Sequence, residues 1–398
     1  AKEWGLRTLR SLGLSNVHAE DFVKENVWFR GAESAQVTAP YPHVLAILGL
    51  GNSVPTLPEG VEAQIRVFAS LEELAAVPPG LLDGRIAVLN QPLSVAQGEE
   101  GYRALARGRR EGPSIAAARG AVAFLMRSLS TSDSRLPHTG AIRYTEGTPR
   151  IPAAALGVPD ADLLARLASG GQPVSVRLNL SSTTVARAPA WNVVGEVLGR
   201  DASGEVIVIG GHLDSWDVAE SATDDGAGIA ICLAAARLIA DLPRQPRRTI
   251  RVVLWGSEET GGSGLAFAQR HRDETPNMVL ASESDMGSGR IYRIAFSANA
   301  WADPKLLDLA RVLAPLGIVT SAEAATFAGT DVDELFKAGV PIVRMSQDAH
   351  RYFATHHSAD DTLNKVDRAD LDQNVAAWAA MLYVVAESGV NFRNIARP

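Results

Sequence analysis

One cysteine in 398 residues, Cys232, leaves no partner for a disulfide within the chain and no cysteine set for a zinc site. A lone thiol does not fix the compartment. Long apolar runs are missing too. The richest, Ile229 to Leu242, is broken by Arg237 and Asp241 and falls short of the ~18–20 residues a membrane span needs. There is no long basic run, and 38 Lys+Arg against 45 Asp+Glu leave a formal net charge of −7, which argues against nucleic acid as the main partner. No internal repeat and no low-complexity segment occurs. Gly49-Leu50-Gly51 lacks a third glycine at Val54, so it is not a dinucleotide fingerprint. The stretch around Ser263 has Leu265 where a nucleophile elbow needs glycine. The chain starts at Ala1 without Met, so a mature or trimmed protein is expected, with a removed leader and a secreted or periplasmic location.

What is present is an ordinary globular composition, 46% hydrophobic and 21% charged. At about 150 residues per domain, the length suggests two domains or one large domain with an insertion. The first half reads as a small mixed α/β unit. Strands are expected at 62–69, 84–90, 121–126 and 174–180, a helix at 159–168, and another at 99–111 that Gly112-Pro113 interrupts. Nothing in it clusters His or carboxylates, so it reads as an insertion, and the arginines 103, 107, 109 and 110 read as a solvated helix face, although one could reach a substrate carboxylate. From about Asn192 the pattern becomes strand then helix, the mark of a largely parallel sheet covered on both faces. Apolar runs at 206–210, 250–255, 278–281 and 341–345 fit buried strands. A helix from Gly226 to Leu242 is apolar nearly all round, and one over 370–387 closes the chain.

The acidic and imidazole residues of this second half gather at the predicted strand ends, where open α/β sheets place their sites. His212 leaves VIVIGG, Asp214 follows, and Asp224-Asp225 open the apolar helix. Glu258-Glu259 come off VVLW, Asp285 off MVLASE, and His356-His357 stand in FATHHSADDT. Singly, each has a plain explanation as a helix cap, a surface pair or a loop residue. Together they offer imidazole and carboxylate donors for two Zn²⁺ ions, with a spare carboxylate as general base.

These motifs resemble the zinc-dependent aminopeptidase and glutamate-carboxypeptidase-like metallopeptidases, in the order HxDSWD, Asp twelve residues after His, EE, ESD, HHSxxDT. RGAESA, AILGLG, NQP, PHTG and IPAAA in the first half extend the similarity over nearly the whole chain. The family's longer N-terminal helical segment is absent or cut. The resemblance implies a mostly parallel central sheet with helices on both faces. Residues 1–55 and 186–398 would form the catalytic domain and 56–185 an inserted protease-associated domain. It implies two zinc ions, one on His212, Asp224 and Asp285, the other on Glu259, Asp224 and His357, with Asp224 bridging and Asp224–Asp225 a cis peptide. Glu258 would be the general base, Asp214 would orient His212 by accepting its other ring N–H, and Tyr352 is the candidate oxyanion stabiliser or else a core tyrosine. His356 would be structural. Thr330-Asp331 would line the site or cap a helix, and Cys232 would be inert. The implied reaction is hydrolysis of dipeptides or short peptides with a free N-terminus by attack of a metal-bound hydroxide. The alternatives are a broader aminopeptidase, a non-catalytic binding relative, and a single-zinc acyltransferase on the same fold. Short peptides are the expected partners, with a homodimer as the assembly.

Overall fold

The structure is a computed structural model, and it describes residues 1–201, 203–298 and 300–393. Among these, the strands form sheets of five, three and eight. The five-stranded sheet runs in the order Ser15–Phe29, Thr183–Val197, Thr249–Trp255, Val206–His212, Met278–Glu283. Its last two junctions are parallel and its first two antiparallel, so the sheet is mixed rather than mostly parallel. The reason is connectivity. Ser15–Phe29 carries the chain away toward the second sheet and Thr183–Val197 brings it back, so the two lie side by side from His18 opposite Val194 to Phe29 opposite Thr183.

Every residue of Val206–His212 is buried. Ile207 and Ile209 face one core with the helices Ala227–Ala240 and Arg368–Ser388, whereas Val206 and Val208 face another with Phe267 and Leu335. A strand covered on both faces has no polar side, which is why this run lacks alternation. The apolar segment near 341–345 is shifted, forming Val343–Gln347 in the three-stranded sheet antiparallel to Ile291–Phe296. A single bridge from Ile342 to Ala281 ties it to the larger sheet.

The eight-stranded sheet has the order His43–Leu45, Glu33–Ala39, Ser175–Leu180, Val61–Phe68, Ile86–Leu89, Ala123–Arg127, Ala153–Leu156, Ile47–Gly49. Residues 33–49, placed by sequence with the catalytic part, therefore pair here. Glu33–Ala39 lies along Ser175–Leu180, and Ile47–Gly49 along Ala153–Leu156. The expected break at Gly112-Pro113 does not occur, and one helix spans Gly98–Ala117. Gly112 presses on Phe124, where an added Cβ would lie 2.5 Å from the ring, and Pro113 is buried. That packing offsets the ~3 kcal/mol an interior proline costs. No helix among the described residues is long and apolar enough to cross a membrane.

Candidate metal centre and its cavity

The C-terminal ends of three adjacent strands converge. His212 is the last residue of its strand, Glu258 follows Trp255 by three residues, and Asp285 follows Glu283 by two. The helix Ala227–Ala240 starts against the same edge, and the backbone there leaves no room for a side chain at Gly211. A Cβ would fall 2.5 Å from Asp225 Oδ2 and 2.8 Å from the Ile229 nitrogen. Asp225 is fully used by the backbone, accepting from the His212 N–H at 2.9 Å and the Gly228 N–H at 3.0 Å. Asp224, joined to it by a cis peptide, has its carboxylate directed at the histidines.

Two imidazoles each face two carboxylates, and Asp224 belongs to both groups. His212 Nε2 lies 3.2 Å from Asp224 Oδ1 and 3.4 Å from Asp285 Oδ1. His357 Nε2 lies 3.2 Å from Asp224 Oδ2 and 3.2 Å from Glu259 Oε2. The backs of both rings are fixed. His212 Nδ1 is 2.8 Å from the Asp214 carbonyl, and His357 Nδ1 is 3.3 Å from the Thr139 carbonyl. A carbonyl only accepts, so Nδ1 carries a proton in each ring, and Nε2 is the nitrogen that could bind a cation once its own proton is displaced.

A divalent cation suits this donor set. Asp224 Oδ2 is buried and makes no hydrogen bond, although His357 is close by. Ligand atoms ~2.0–2.1 Å from a tetrahedral zinc stand roughly 3.3 Å apart, the spacing found here. Sets of His212, Asp225 and Asp285, and of His212, Asp224 and Glu259, are each close enough to hold an ion. The Asp225 oxygens already accept from backbone donors, whereas Asp224 Oδ2 has none.

The charges are strongly perturbed. Burial pushes the Glu259 carboxyl up to about 8 despite His357, and that of Asp285 up to about 7 despite His212. Burial also raises Glu258, with Asp214 adding to the rise against the pull of His212. For His212 burial acts downward, but hydrogen bonds with Asp224 and Asp285 outweigh it and lift the ring well above its ordinary value. His357 is lifted in the same way by Glu259 and Asp224. Carboxylates this crowded are costly to ionise without added positive charge.

Asp214 departs from its expected role. Its backbone carbonyl, not its carboxylate, meets His212, since the nearest carboxylate oxygen stands 3.7 Å away. The carboxylate accepts instead from the N–H groups of Glu258 (2.8 Å) and Glu259 (3.2 Å). Three further residues support these groups, and each stands in a stretch the sequence marks: Thr139 in PHTG, Thr330 beside Asp331, and Asp361 in HHSxxDT. Thr139 lies on the far unit, Thr330 hydrogen-bonds Glu258, and Asp361 accepts from the Thr223 N–H and hydroxyl (2.7 Å each) and from the Asp224 N–H (3.0 Å). Asp331 caps the helix Ser263–Arg270, accepting from the Ser263 hydroxyl and the Gly264 N–H at 2.6 Å each. His356 is buried with both ring nitrogens unpaired, its ring 4.3 Å from that of His357. Cys232 is buried, its thiol pushed up by burial, and it donates to the Gly210 carbonyl.

A cavity of 540 Å³ opens over these groups, lined by Asp224, Glu258, Glu259, Asp285, Tyr352 and His357. Tyr352 also packs in the core beneath the eight-stranded sheet, so core residue and cavity wall are one and the same. The arginines of the Gly98–Ala117 helix are not all a solvated face, since Arg109 is buried while Arg103 and Arg107 are exposed. Arg103, Arg109 and Arg110 line the cavity, and of the four only Arg107 does not.

An α/β sheet with paired carboxylate–imidazole groups at one edge suits a metal-dependent hydrolase, and the profile of peptidase family M28, which matches residues 192–382, makes the class a metallopeptidase. The chain belongs to that family. It is 38% identical to carboxypeptidase Q of Bos taurus and 37% identical to that of Homo sapiens, in each case over 96% of this chain and 79% of the relative. Among solved structures it resembles a peptidase M28 precursor from Shewanella amazonensis, with TM-score 0.95 and 38% identity over 100% of this chain and 89% of that one. The zinc aminopeptidase of Bacillus subtilis shares the fold, with TM-score 0.66 at 16% identity over 97% of this chain and 88% of that one.

Proposed function

We propose that the chain is a di-zinc exopeptidase that hydrolyses dipeptides or short peptides with a free N-terminus. The observation that carries this reading is the pair of carboxylate–imidazole groups sharing Asp224 beside Glu258, at the base of one cavity. His212, Asp224 and Asp285 would hold one zinc, and His357, Glu259 and Asp224 the other. When bound, the ions polarise a carbonyl oxygen and make water acidic enough to attack near neutral pH. Glu258 takes the proton of the attacking water as its oxygen joins the scissile carbonyl carbon. It then passes that proton to the amine nitrogen as the C–N bond breaks. Thr330 and Asp214 hold Glu258 in place, through its carboxylate and its N–H respectively. Tyr352 is the candidate donor to the oxyanion that develops on the carbonyl oxygen. The resemblance to carboxypeptidase Q over almost the whole chain supports the peptidase class, and the imidazole and carboxylate donors suit zinc. The unit around the eight-stranded sheet is read as a protease-associated module that limits access to short peptides, in a homodimeric assembly.

Glu258→Gln tests the chemistry. It should keep about two zinc ions per chain by elemental analysis while turnover of a dipeptide falls about 10²–10⁴-fold. Near-normal turnover refutes the role of Glu258. Free and N-acetylated dipeptides, assayed beside longer peptides, test the substrate. Hydrolysis of long peptides at the dipeptide rate would favour a broader aminopeptidase, and zinc binding without any turnover a non-catalytic relative.

A further inference from the structure

The cavity has a cationic wall as well as an acidic base. Arg103, Arg109, Arg110, Arg143 and Arg344 line it. Two of these are partnered within the fold, sharing one carboxylate, because Glu99 pairs with Arg344 and lies 3.7 Å from Arg103. The other three are not. Among the described residues no carboxylate pairs with Arg109, Arg110 or Arg143, and the adjacent Glu111 is taken by Arg107 at 2.8 Å. The backbones of Arg110 and Arg143 and the side chain of Arg109 are nevertheless held, although Arg143 itself is exposed. The Arg143 N–H donates to the Arg110 carbonyl at 3.1 Å, holding the two residues side by side. Arg109 is 9% exposed, and its Nη1 donates to the Tyr102 hydroxyl at 3.0 Å and the Thr139 carbonyl at 3.3 Å. Its Nε is buried without a partner. Glycine at 140 is what allows this approach, since a Cβ there would stand 2.2 Å from Nη1. Burial, together with the charges of Arg109 and Arg143, lowers the Arg110 pKa, so the cluster is under mutual repulsion. Like charges gathered in a cavity without a counter-ion cost stability, and an anionic ligand group removes that cost through charge-assisted hydrogen bonds.

We propose that Arg110 and Arg143, backed by Arg109, form the subsite for the C-terminal carboxylate of a short peptide whose scissile carbonyl sits at the carboxylate–imidazole groups. This rests on the exopeptidase reading above. It makes the substrate a peptide short enough to reach both walls of a cavity of 540 Å³, with its free carboxylate recognised by guanidinium forks.

The test is binding, so that it stands apart from turnover. Zinc-loaded Glu258→Gln protein is titrated calorimetrically with a neutral dipeptide, its C-terminal amide, and an amide whose last residue is glutamate. The acid should bind about 10–100-fold more tightly than the neutral amide. Adding Arg110→Gln and Arg143→Gln together should bring that ratio near unity, while Arg110→Lys with Arg143→Lys keeps part of it and tests the charge if the glutamine pair does not fold. Equal affinity for acid and amide overturns the proposal. So does a glutamine pair that retains the preference, or a glutamate amide that binds as tightly as the acid, since a side-chain carboxylate would then be the group read. Wild-type turnover is followed in parallel, and its absence alongside a clear acid preference would count against the exopeptidase reading and leave the subsite standing.

Discussion

Asp361 receives three hydrogen bonds from Thr223 and Asp224, and so sets where the shared carboxylate can point. Asparagine in its place would turn one acceptor oxygen into a donor facing N–H groups. Asp361→Asn should therefore weaken zinc affinity about 10–100-fold, measured by competition with a chromophoric chelator, with the far-ultraviolet circular dichroism unchanged. An unaltered affinity would show that the loop holds Asp224 without this anchor. At this scale the sequence reveals residue types that bear chemistry, because His, Asp and Glu stand out at the ends of apolar runs. It does not reveal what Thr139 contacts, since that role comes from a residue far along the chain. It also misassigns Asp214, since spacing cannot distinguish a carboxylate that reaches a ring from one that reaches two backbone N–H groups.

Between elements, His271 at the end of the helix Ser263–Arg270 clasps the strand Ser15–Phe29. Its Nε2 is 2.8 Å from Glu20 Oε1 and its Nδ1 is 2.9 Å from Glu274 Oε1. Burial lowers the His271 pKa, but Glu20 and Glu274 outweigh it and raise the ring above 6.5. Burial raises Glu20, yet its bond with His271 leaves it below 4.5. The histidine's contribution is complete below 6.5 and is lost as pH rises through its higher folded value. The glutamate's is present above 4.5 and is lost as pH falls through its lower one. His271→Gln should thus lower the urea midpoint more at about pH 5.5 than at about pH 8.5, and equal losses would refute the clasp. Strand positions were legible from apolar runs, whereas the continuity of Gly98–Ala117 was not. Gly112-Pro113 is a local signal for a break, and only the packing against Phe124 overrides it.

Across the whole molecule, two cores meet at one centre, and the centre is where metal and stability are linked. In chelator-treated protein, Glu259 at about 8, Asp285 at about 7 and the raised His212 and His357 all hold protons that the unfolded chain has released. A folded state that binds more protons loses stability as pH rises, so the metal-free melting temperature should fall from about pH 5 to about pH 8. Zinc should restore the most at the upper end, by calorimetry, and a flat metal-free profile would contradict this. The division between the five- and eight-stranded sheets is only partly legible from sequence, because residues 33–39 and 47–49 pair with strands more than a hundred residues away by contacts that no local pattern encodes. One such contact has a practical meaning. The Thr139 N–H donates to the His357 carbonyl at 2.9 Å, and the Thr139 carbonyl in turn faces the ring of the same histidine. That reciprocal stitch makes the second sheet unsuitable for excision or transplantation as a self-contained part. Replacing it with a foreign cap would strip His357 of its clamp, so any chimera has to carry the 139–357 pair across intact.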